Sequence, residues 1–61
     1  MIVEIGSRKI TATKKVLNYL SIIADKASVA FMSEGYTALG EDAREFSESI
    51  YNALKERGFY E

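Results

Sequence analysis

Two short runs bearing apolar residues flank a Gly-Ser pair at the start of the chain, and apolar residues then recur every three to four positions from about residue 13 onward. Ile2–Ile5 and Arg8–Thr11 flank Gly6-Ser7, and glycine at the first central position suits a type II′ turn. That turn fixes a register with Ile5 opposite Arg8, Glu4 opposite Lys9, Val3 opposite Ile10 and Ile2 opposite Thr11. One face then collects Met1, Val3, Ile5, Ile10 and Ala12, and the other holds the Glu4–Lys9 pair and Thr11. Pattern and turn agree on a β-hairpin over 1–12. A lone two-stranded ribbon is marginal in water, so its apolar face is expected to lie on helices.

The next stretch, 13–34, reads as one long helix. Val16, Leu20, Ile23, Ala27 and Ala30 recur in steps of four and three, flanked by Tyr19, Ala24 and Phe31, and are expected to form the core stripe. Thr13 is the expected N-cap, with Thr11 as the other choice. At the far end Gly35 supplies a left-handed residue and Tyr36 follows it to pack on Phe31, the Schellman arrangement. Ile22, Val29 and Met32 lie roughly opposite the stripe, where a surface helix packed on one side should be polar. They predict a second buried seam, against another chain or a partner.

Gly35-Tyr36-Thr37 is too short for anything but an antiparallel return into a second helix over 37–57. Its expected stripe is Tyr36, Leu39, Ala43, Phe46, Ile50, Ala53 and Arg57, with Leu54 beside it. Thr37 or Gly40 is expected to cap the start, and Gly58 to stop the end with Phe59 over Leu54, leaving a tail at 58–61. The fold class is α+β in the order ββαα, as one small domain.

Length changes this picture. A core in 61 residues only just offsets chain entropy, and with neither cysteine nor histidine present, disulfides and ordinary zinc sites are excluded. Oligomerisation is the remaining staple, so a homodimer or higher oligomer is expected, through Ile22, Val29 and Met32 or through hairpin edges. Asn18, Asp25 and Lys26 interrupt the longest apolar region, which argues against a membrane span. Lys14-Lys15 ahead of an apolar run faintly imitates a signal peptide, but the preceding strand and the helical period oppose that reading. The expected location is cytoplasmic.

Charge is unevenly divided. Through Lys26 there are five basic residues against two acidic, and from Ala27 onward three against seven. Arg8, Lys9, Thr11, Thr13, Lys14 and Lys15 gather cations and hydroxyls near a helix start, the pattern of an anion or small-ligand site. Plain solubility, with Lys9 committed to Glu4, competes with that reading. Glu41, Asp42, Glu45 and Glu48 have helical spacing but read as a solvated face beside Arg44. Six serines have no histidine to activate them, and GSRKITATK lacks the second glycine of a phosphate loop. No enzyme, cofactor or metal is therefore expected. Tyr51 and Tyr60 join Ile22, Val29 and Met32 as interface residues. The functional expectation is a small oligomeric binding module, a regulator or inhibitor that occupies a partner protein or captures a small anionic ligand. The alternative is a nucleic-acid-associated regulator using the basic group.

Overall fold

The computed structural model describes residues 1–60; Glu61, the end of the predicted tail, lies outside the described residues. Gly6 takes φ +61° and Ser7 keeps a negative φ, the sign pattern of a II′ turn. Around it β1 (Ile2–Ile5) and β2 (Arg8–Thr11) pair antiparallel in the predicted register at all four positions. Ala12 N–H continues the ladder to the Met1 carbonyl at 3.1 Å. Val3 is buried on the inner face, while Ile2 on the outer face is exposed.

Two helices follow, α1 (Lys14–Ser33) and α2 (Thr37–Glu56). The predicted range 13–34 thus includes two cap residues: Thr13 Oγ1 accepts from Val16 N–H at 3.2 Å, and Glu34 is the C-cap. Gly35, at φ +87°, lets Tyr36 N–H reach the Phe31 carbonyl at 2.8 Å and its own N–H reach Met32. The Phe31 and Tyr36 rings then meet edge to face, 6.4 Å apart. Gly58 repeats this stop, with Phe59 N–H donating to the Leu54 carbonyl at 3.1 Å. The start of α2 differs from expectation. Tyr36 is its N-cap, without a side-chain bond, and Gly40 lies one turn inside the helix. Arg57, expected on the inner stripe, is the exposed C-cap.

The larger correction concerns which faces meet. The helices do not pack through Val16, Ile23 and Ala30, all exposed, nor through Leu39. On α1 the inward positions are Leu17, Ser21, Ala24 and Ser28, and on α2 Gly40, Ala43, Ser47, Ile50 and Leu54. The α1 set is turned about one residue from the expected stripe; on α2 Ala43 and Ile50 belong to both sets, and the face shifts by about half that, toward Gly40, Ser47 and Leu54. Small side chains explain the choice, because they let the backbones approach until hydroxyls on one helix reach carbonyls of the other. Ser47 Oγ donates to the Ser21 carbonyl at 2.7 Å, Ser21 Oγ donates to the Ser47 carbonyl at 3.1 Å, and Ser28 Oγ donates to the Gly40 carbonyl at 2.7 Å. Each carbonyl has a second lone pair left over from its helix bond. No buried side-chain N or O among the described residues lacks a partner. Bulkier side chains would hold the helices apart and break these bonds.

The larger apolar residues sit to the sides of this seam. Val3, Leu17, Ile50 and Leu54 form the core, joined by half-buried Ile5, Ile10, Leu20, Phe46 and Phe59. β1 lies against α2, and the backbone of neither strand runs alongside α1. The result is flat, 34 × 26 × 15 Å. Its radius of gyration of 11.8 Å exceeds the roughly 10.5 Å of a compact chain this long. Its surface of 4558 Å² exceeds by about 600 Å² what a compact monomer of 6.8 kDa exposes.

Candidate functional site

Tyr60 OH donates to Asn18 Oδ1 at 2.7 Å, tying the segment after α2 back to the first turns of α1. Its ring lies 5.0 Å from that of Tyr51, and Phe59 meets it edge to face. Partial desolvation, then the neighbouring Tyr51 phenol, raises the Tyr60 pKa above the ordinary tyrosine value. From this aromatic corner a groove runs between α1 and α2. Its first part, about 620 Å³, is lined by Ile22, Asp25, Ser47, Tyr51 and Tyr60 among others. A second depression of about 590 Å³ continues it past Val29, Met32 and Arg44, and Asp25 lines both. The structure therefore brings Ile22, Val29, Met32, Tyr51 and Tyr60 to one side of the helical hairpin. All five are exposed, Val29 to 65%.

The groove has a constructed floor. Met32 lies across Gly40 so closely that a Cβ at residue 40 would stand 2.8 Å from Met32 Cγ. The Ser21–Ser47 pair closes the gap beneath the middle of the groove. Arg44 Nε bonds Glu48 Oε1 at 3.2 Å one turn along α2, whereas Asp25 pairs with no cation among the described residues. Such a surface offers apolar contact with a few polar fixing points. Its Ser21, Ser47 and Tyr60 hydroxyls all donate within the chain.

The six anion-site residues are spread along the hairpin instead. Arg8 and Lys9 sit by the turn, where the cleft they line also contains Asp42 and Glu45 of α2. Lys9 Nζ lies 3.7 Å from Glu4 Oε1. Thr11 and Thr13 are at the opposite end of β2, and the Thr13 hydroxyl is engaged by its cap bond. Lys14 and Lys15 open α1, exposed and paired with no acid among the described residues. Thus Lys14 and Lys15 share a helix start, but Arg8 and Lys9 have acidic neighbours of their own. Glu41, Asp42, Glu45 and Glu48 do not gather, and no metal-sized cluster of acids occurs among the described residues. No helix among them is long and apolar enough to cross a membrane.

Sequence reasoning missed a second exposed surface. Val16 and Ile23 belong to the expected core stripe and Tyr19 to its flank, yet Ile23 is 62% exposed. Serines, alanines and Gly40 at four-and-three spacing were the signal that the helices would meet elsewhere. Compared with known protein families, curated proteins and solved structures, the chain matches none.

Proposed function

We propose that the chain is a non-enzymatic binding module that works as an oligomer and regulates or inhibits a partner protein by occupying it. One observation carries this reading: among the described residues eleven large apolar side chains are exposed while four hydrophobic ones are buried. A small monomer ordinarily scatters such residues singly, and contiguous apolar patches rimmed by polar groups mark interaction sites. Here the groove past Ile22, Val29, Met32 and Tyr51 supplies the apolar contact. Asp25 at its centre suits a cation on the partner, and Asn18 and Glu48 supply polar rim groups.

A small anion at the start of α1 is a second reading, favoured by the unpaired Lys14 and Lys15. Nucleic acid has less support, because Asp42 and Glu45 adjoin Arg8 and break up the positive surface a phosphate backbone needs.

A photo-crosslinking residue at Val29, compared in cells with one at Asn52 on the outer face of α2, tests the leading reading. Position 29 should give a discrete adduct with a different protein that is absent at 52 and weakened by Tyr51→Ala. Equal labelling at both positions, or adducts only with copies of the same chain, would remove the partner-binding groove.

A further inference from the structure

We infer that α1 is also a self-association surface, on which a second copy of this chain packs its own α1 antiparallel across Val16, Ile23 and Ala30. This inference rests on the oligomeric part of the reading above and adds the face, the orientation and the charges that select it. At 100° per residue these three positions form a line separate from both the serine seam and the groove. Leu20 and Ala27, half-buried, complete the four-and-three spacing of a helix–helix seam. The groove's edge on α1 is broken by Asn18 and Asp25, whereas this line is apolar throughout, with Lys26 alone bordering its middle.

Area and charge both point to a second copy. The surface in excess of a compact monomer, about 600 Å², approaches the roughly 800 Å² per partner of an ordinary stable interface. The charges of α1 are reversed with respect to its own dipole. Its first turn carries Lys14 and Lys15 and no acid, and its last turn has no base before Glu34. In an isolated helix both ends are mildly unfavourable. An antiparallel copy related by a two-fold axis near Ile23, the midpoint of the line, sets Val16 opposite the second copy's Ala30. Lys15 then comes within side-chain reach of the other Glu34, and each helix N-terminus adjoins the other's C-terminus. A parallel pair would bring lysines to lysines. The groove past Val29 and Met32 stays open in this arrangement, so self-association and partner binding use different faces of one helix.

The chain has no native cysteine, so a single introduced cysteine reports only contacts between copies. Under mild oxidation Ile23→Cys should form a disulfide dimer rapidly and Val29→Cys slowly. Val16→Cys should cross-link poorly with itself and well when mixed with Ala30→Cys. In sedimentation, Lys15→Glu should weaken the dimer several-fold, and adding Glu34→Lys in the same chain should restore it. Faster cross-linking at Val29 than at Ile23, or of Val16 with itself, would overturn this interface while leaving an oligomer in place. A wild-type chain that sediments as a monomer at every concentration would overturn the oligomeric reading itself, without touching the photo-crosslinking result at the groove.

Discussion

Ser21 and Ser47 show what single atoms decide in this molecule. Each hydroxyl donates to the other residue's backbone carbonyl, and the two oxygens stand 3.3 Å apart, so the pair is satisfied without water. Ser47→Ala removes one of these bonds and leaves Ser21 its carbonyl acceptor. Urea denaturation should show a loss of about 1 kcal/mol. Ser47→Leu adds volume where the helices are closest and should cost more, about 1–3 kcal/mol or beyond, although it is the more hydrophobic residue. Equal or greater stability for Ser47→Leu would mean that the close seam contributes little. Polar residues at these positions resemble solvent-facing ones in any hydrophobicity pattern. For that reason the buried face of α1 was not legible in the sequence, and Leu17, its one large apolar residue, lies outside the expected stripe.

Among the elements, those set by chemistry within a few residues were legible and those set by contact between helices were not. Gly6, Gly35 and Gly58 each occupy a positive φ that other residues resist, so the turn and both helix stops followed from local sequence. The Gly6-Ser7 turn set the hairpin register and the side chains agree with it, because a slip of one residue would turn Val3 outward. Gly40, one of the two caps expected for α2 because glycine at a helix start has that ordinary meaning, lies a turn inside it. Its role is spatial: it admits Met32 above and the Ser28 bond beside it. A double-mutant cycle separates these effects. Gly40→Ala gains about 1 kcal/mol of helix propensity but must displace Met32, so alone it should change stability little. In a Met32→Ala background the same change should stabilise by about 0.5–1 kcal/mol. Identical effects in both backgrounds would show that Met32 does not rest on that glycine. For the candidate site, Ile22, Val29 and Met32 were expected from their place behind the α1 stripe, and Tyr51 and Tyr60 as exposed aromatics off the α2 stripe and in the tail. The exposed line through Ile23 was hidden by being the most core-like pattern in the chain.

Taken whole, the chain is a slab 15 Å thick in which α1 has a principal neighbour, α2, on one side only. That shape has a thermal consequence. Heat capacity on unfolding comes from apolar surface newly exposed to water, and ordinary proteins of 61 residues gain about 0.8 kcal/mol/K. With only Val3, Leu17, Ile50 and Leu54 fully withdrawn, calorimetry of a dilute sample should give a smaller increment and a shallow, broad melting transition. Raising the protein concentration should move the midpoint upward and sharpen the transition, since subunits that associate only when folded stabilise the fold by mass action. A midpoint independent of concentration, with an ordinary increment, would mean that the exposed side chains take no part in holding the fold. With so few fully withdrawn side chains, the stability curve of the separated chain should be only weakly curved with temperature. Cold should then weaken it little, and with the self-association proposed above its resistance to heat should rise with the number of copies in solution.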